Sequence, residues 1–129
     1  MTAAVLDASA LLALLLDEPG AKAVQAVLAD SAISAVNLGE VVGHFARNGV
    51  AEADIRAVLD PLPVAVHPFD TEQGYGVGLL LPRTRSAGLS LGDRVCLALA
   101  HHLGVPVLTA DRVWQGFAET VGVEITVIR

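Results

Sequence analysis

Residues 89–114 read LSLGDRVCLALAHHLGVPVLTADRVW, and the order of signals in this stretch decides the fold. Ser90 stands at an N-cap position, Gly92 to Leu103 carries a helical period, and Gly104 supplies the stop a helix C-terminus favours. On that period Asp93 shares a stripe with Cys96, Leu97 and Ala100, the face that has to be buried. A carboxylate at the mouth of an apolar stripe is costly unless a cation or hydrogen-bond donors meet it. After Gly104 the run Val105 to Leu108 reads as a short buried strand, and Thr109-Ala110-Asp111 sets a second carboxylate just past its end. In open α/β sheets that carboxyl edge is where ligands bind.

Upstream the same grammar repeats. Ala3 to Leu6 is an apolar run without alternation, as in a strand covered on both faces. Asp7 ends it, and the apolar helix Ala10 to Leu16 that follows must be enclosed by neighbours. Asp7 is either the N-cap of that helix, with Ser9 competing for the role, or a cation-binding carboxylate at a strand end. A break at 17–20 leads to a helix over Ala21 to Leu28, a brief strand over Ala32 to Ser34 and a helix from Asn37 to Arg47, capped by Asn48-Gly49. Leu38, Val41, Val42 and Phe45 form its apolar stripe. Glu40 lies off that stripe, where a helix acid is usually solvated.

The spacing predicts a helix over Ala51 to Leu59, a strand over Val64 to His67, and a helix opened by a capping box from Asp70 to Gln73. Gly74, Gly76 and Gly78 fall inside this last helix. They neither follow a strand directly nor open a helix, so close helix packing explains them better than a phosphate-binding fingerprint. Beyond the organising stretch come a helical turn near Gln115 to Glu119 and a final strand, Glu124 to Ile128. Strands alternating with helices imply a central parallel sheet with helices on both faces, in one domain over residues 1–129. Neither the adjacent pair His101-His102 nor the isolated His44 and His67 has ligand spacing.

Composition narrows the function. With 53% hydrophobic residues and a mean hydropathy of +0.60, the 129-residue chain is no disordered segment, and part of its apolar surface is expected to be covered by association. Its longest apolar run, the seven residues Ala10–Leu16, falls well short of the roughly 20 needed to span a membrane. With no basic n-region either, a cytoplasmic location is expected. The single cysteine, Cys96, excludes an internal disulfide and reads as a core residue. A net charge of −6 argues against nucleic-acid binding by bulk charge, yet suits a chain that gathers carboxylates around a divalent cation. Four of the eight basic residues, Arg83, Arg85, Arg94 and Arg112, fall around the organising stretch. They are either phosphate contacts or ordinary surface.

Asp7, Asp93 and Asp111 thus sit at strand ends or helix starts on one plausible edge, with Glu40 as a fourth acid. Clustered carboxylates repel one another unless a cation joins them. All-oxygen ligation suits Mg²⁺ or Mn²⁺, and the chemistry such a site suggests is phosphodiester hydrolysis.

Four pieces, VLDASALLALL at 5–15, NLGE at 37–40, GLSLGDRVCLALA at 88–100 and TADRVW at 109–114, together resemble the PIN-domain ribonucleases, and within them the VapC-like toxins of bacterial toxin–antitoxin pairs. The resemblance covers essentially the whole chain. It implies a three-layer α/β/α sandwich around a parallel sheet, and a metal-dependent endoribonuclease using Mg²⁺ or Mn²⁺. It also implies an acidic quartet of Asp7, Glu40, Asp93 and Asp111, with Ser9 and Thr109 as neighbouring hydroxyls and Asn37 steadying Glu40. Its implied partners are RNA, a small antitoxin and a second copy of the chain. Two other readings remain: an inactive fold copy that only binds a protein, and a phosphatase with Asp7 as phosphoryl acceptor. The phosphatase usually needs a second aspartate two residues on, where this chain has Ser9.

Overall fold

The protein is described here by a computed structural model covering residues 1–129. Five strands, β1 (Ala4–Leu6), β2 (Ser31–Ser34), β3 (Ala65–His67), β4 (Val107–Thr109) and β5 (Ile125–Val127), form one sheet in the order β3-β2-β1-β4-β5. Every pairing is parallel. The chain moves outward from β1 through β2 to β3, then returns to pair β4 on the other side of β1. The strand order therefore reverses between β1 and β4, the place where open α/β sheets bind ligands.

Seven helices connect the strands: α1 (Ala8–Leu15), α2 (Ala21–Val27), α3 (Ala35–Arg47), α4 (Glu52–Leu59), α5 (Thr71–Thr84), α6 (Leu91–Leu103) and α7 (Ala118–Val121). Side chains of one strand alternate between faces, and two separate cores follow. Ala4, Leu6, Ile33 and Leu108 pack with α1, α2 and α3, whereas Val5, Ala32, Val107 and Ile125 pack with α5, α6 and α7. The result is the expected three-layer α/β/α sandwich. Its strands are only three or four residues long, and the largest buried side chain, Trp114, comes from a 3₁₀ turn, Arg112–Phe117. No helix is long and apolar enough to cross a membrane.

Several local expectations need correction. Of the two caps the sequence offered for α1, Asp7 takes the place, and the helix therefore opens at Ala8, not at Ala10. Pro106, with no N–H to give, keeps β4 from starting before Val107, and pairing of Thr109 with Val127 extends the strand one residue further than expected. Asp70 accepts from the Gln73 N–H at 3.0 Å, but the Gln73 side chain turns to the Pro68 carbonyl, so only half of a capping box forms. The three glycines of α5 do not share one role. Only Gly76 faces a neighbour, Ala98 at 3.6 Å from an added Cβ, and Gly74 and Gly78 face open space. His101 and His102 both border a groove with Arg83, but only His101 also reaches Gly122.

The apolar helix α1 is largely covered by the chain itself. On α5 the apolar residues Tyr75 and Leu79 are 69% and 72% exposed, and Leu91 and Val113 are each 64% exposed elsewhere.

Candidate active site

The reversal between β1 and β4 sets the end of each strand beside the start of a turn. Asp7 follows β1 with extended backbone, and its Oδ1 accepts from the Ala10 N–H at 2.8 Å and the Ser9 hydroxyl at 2.7 Å. Thr109, the last residue of β4, donates its hydroxyl to Asp7 Oδ2 at 2.6 Å. Ser9 Oγ in turn accepts the Ala110 N–H at 2.9 Å, and Thr109 Oγ1 accepts the Asp111 N–H at 3.0 Å. These bonds join two segments about a hundred residues apart in sequence, Asp7–Ala10 and Thr109–Asp111, into one network. Cap and buried acid are therefore the same residue: Asp7 closes α1 and is only 6% exposed.

Burial pushes the Asp7 carboxyl up from 3.8 to about 6, with the negative charge of Asp93 adding to it and the three donors opposing it. No cation of the chain relieves this. The ion pairs present, Arg56–Glu52 and Arg129–Glu18, leave the quartet untouched.

Asp93 is half-buried in the first turn of α6. A reciprocal capping box holds it, Ser90 N–H to Asp93 Oδ2 at 3.0 Å and Asp93 N–H to Ser90 Oγ at 3.1 Å. Glu40, exposed on α3, accepts from Asn37 Nδ2 at 2.8 Å, and the same amide nitrogen donates to the Gly92 carbonyl at 2.9 Å. The buried Asn37 thus ties α3 to the start of α6, and its Oδ1 has no hydrogen-bond partner. Cys96 lies within the reach of three of these acids. Burial raises its thiol well above the ordinary value, and the charges of Asp7, Asp93 and Glu40 add to that.

Asp111 stands apart. Its carboxylate is exposed and accepts from the Val113 N–H at 3.0 Å, capping the turn Arg112–Phe117, so only its backbone N–H joins the network. As positioned, no three histidine, cysteine or acidic side chains converge closely enough to hold one ion. The donor set itself fits a hard divalent cation: carboxylates and hydroxyls only, a buried acid with a raised pKa, and no internal positive charge to neutralise it.

The four arginines separate. Arg83 and Arg85 are exposed. Arg94 is half-buried and donates Nε to the buried Thr84 hydroxyl at 3.0 Å, which ties α6 to α5, and Arg112 Nε binds the Arg129 carbonyl at 2.9 Å. The residue that composition and spacing did not single out is Gly92. Its place before Asp93 in LSLGD was visible, but its proximity to Glu40 requires the contact between α3 and α6.

Sheet order, buried acid and flanking hydroxyls define an α/β protein with an acidic site at its topological switch. The family model of the PIN domain matches residues 4–120, and the chain belongs to the PIN-domain family. The fold is similar to a chain of the toxin–antitoxin complex from Klebsiella pneumoniae (TM-score 0.74, 21% identity, 98% of each chain covered). It is also similar to one from DNA-bound VapBC of Salmonella typhimurium (TM-score 0.78, 16% identity, all of both chains covered). A third similar structure is FitAcB from Neisseria gonorrhoeae (TM-score 0.72, 19% identity, 94% of each chain covered). No curated protein matches the sequence.

Proposed function

We propose that this PIN-domain protein is a metal-dependent endoribonuclease and the toxin of a toxin–antitoxin pair. The observation that carries the reading is Asp7: buried at the sheet's switch point, held by two hydroxyls and a backbone N–H, and left without a cation by its own chain. Asp7, Asp93, Asp111 and Glu40 are the residues that would hold Mg²⁺ or Mn²⁺. Such an ion supplies positive charge for a phosphodiester and activates water for its hydrolysis. The protein's own contribution is orientation. Thr109 and Ser9 fix both oxygens of Asp7, the Ser90 capping box fixes Asp93, and Asn37 fixes Glu40. Asp111 is exposed, and its carboxylate caps the turn Arg112–Phe117 through the Val113 N–H. Arg83 and Arg85 are the free cations for RNA phosphates, while Arg94 and Arg112 also serve the fold.

A small antitoxin is the proposed protein partner, supported by the fold's likeness to chains of toxin–antitoxin complexes. An arginine from it would pair bidentately with these carboxylates and exclude both cation and RNA. Self-association is proposed through the uncovered apolar residues of α5.

The test is incubation of purified, chelator-treated protein with a mixed pool of structured and unstructured RNA. Cleavage restored by Mg²⁺ or Mn²⁺ supports the reading. Hydrolysis of p-nitrophenyl phosphate with intact RNA would replace it with a phosphatase, and no turnover of either would leave a binding protein.

A further inference from the structure

The carboxylate of Glu40 rests on Gly92. A Cβ added at Gly92 would lie 2.5 Å from Glu40 Oε2, 2.7 Å from Oε1 and 2.8 Å from Cδ. No other glycine of the chain meets an acidic side chain this way. Gly92 is buried and is the second residue of α6, directly before Asp93. The contact is reinforced from the other side, because Asn37 Nδ2 bonds Glu40 Oε1 and the Gly92 carbonyl at once. Its orientation is fixed by its partners. Turning the amide over would aim Oδ1 at a carboxylate and a carbonyl, so the unpartnered Oδ1 is the lesser cost.

We infer that Gly92 is a positioning residue for the cation site, the missing side chain that seats the Glu40 carboxylate beside Asp93. The inference deepens the proposed function and rests on Glu40 being a ligand there. Physical chemistry separates the role from a structural one. The atoms an alanine methyl would meet are the far end of a flexible, exposed side chain, not backbone, so the fold has an easy escape. Alanine is also the better helix former. Gly92→Ala therefore leaves folding intact or firmer, and its effect falls on where Glu40 can put its oxygens. The first turn of α6 also favours a nearby anion electrostatically, so the displaced carboxylate leaves a favourable place for one open to solvent.

The experiment compares wild type, Gly92→Ala, Glu40→Gln and the double variant by three readouts: thermal midpoint, the Asn37 side-chain amide resonances, and Mn²⁺ affinity by water-proton relaxation. Gly92→Ala is expected to keep or raise the midpoint, shift the Asn37 amide resonances, and weaken Mn²⁺ roughly 10-fold or more, as loss of a ligand's support does. In the Glu40→Gln background the same substitution should change Mn²⁺ affinity little. Unchanged Asn37 resonances in Gly92→Ala overturn the seat whatever the metal does. So does an equal loss of Mn²⁺ affinity with and without Glu40. Wild type that binds no Mn²⁺ removes the cation reading itself, while the Asn37 resonances still decide whether Gly92 seats the carboxylate.

Discussion

Asp7 and Asp70 begin as the same local device. Each follows a strand with extended backbone and caps the next helix, Asp7 through the Ala10 N–H at 2.8 Å and Asp70 through the Gln73 N–H at 3.0 Å. Their surroundings differ because β1 is the middle strand of the sheet and β3 an edge. At the edge Asp70 stays in solvent. In the middle Asp7 receives hydroxyls from Ser9 and Thr109, lies next to a second acid and is pushed up to about 6. A cap is made by four consecutive residues, whereas a buried acid with a raised pKa is made by which strand the sheet places alongside.

The largest effect that could break this contrast is on cleavage. Asp7→Asn is expected to lower metal-dependent RNA cleavage by about 100-fold or more, since in the proposed site it removes a ligand and not merely its support. Asp70→Asn keeps a competent cap and should leave the rate unchanged. Initial rates on one labelled RNA at saturating Mg²⁺ decide it, and equal losses in both variants would erase the distinction.

Stability of the metal-free chain should move the other way. The unfolded carboxyl releases its proton near 3.8 and the folded Asp7 near 6, so the folded state binds the extra proton between these values. Stability therefore falls as pH rises through that window and is flat for this group on either side. The displacement corresponds to at most about 3 kcal/mol. Asp7→Asn should recover much of it at neutral pH and flatten that part of the profile, while Asp70→Asn should stay within about 0.5 kcal/mol of wild type. Urea unfolding in the presence of chelator across pH 3–8 would show both.

The hydroxyl that sets Asp7 apart can be removed alone. Thr109→Val takes away the donor to Asp7 Oδ2 and the acceptor of the Asp111 N–H. A cost of about 1–3 kcal/mol is expected, with the Asp7 carboxyl moving further upward. Carboxyl ¹³C shifts followed against pH check the direction, and a downward move would mean that Thr109 does not hold the charged form.

The smallest effects concern the arginines. Arg85→Ala should reduce the salt dependence of RNA affinity by about one ion without changing the thermal midpoint. Arg94→Ala should lower the midpoint, because its Nε satisfies Thr84. Equal salt slopes for wild type and Arg85→Ala would make Arg85 ordinary surface.

Much of this arrangement was legible in the chain because it is local. Ser90 and Gly104 announced α6, alternation of short apolar runs with helices announced the parallel sheet, and Asp7 was visible as a cap. Glu40 was not legible from periodicity, which placed it among solvated acids. Only the motif resemblance gathered it in, and its tie to Asn37 and Gly92 depends on how α3 meets α6. Strand limits slipped by a residue or two at Pro106 and Ser31, where pairing partners decide what a propensity cannot. The glycines of α5 misled for a related reason. A glycine marks close approach only if something approaches, and at Gly74 and Gly78 nothing in the chain does.

The central claim is that the buried acid at the switch point exists to hold a divalent cation. Calorimetric titration of Mn²⁺ into chelator-stripped wild type, with Asp7→Asn titrated alongside, tests it most directly. The account predicts saturable binding by wild type and its loss in the variant. Equal binding by both chains, or none by wild type, would contradict it.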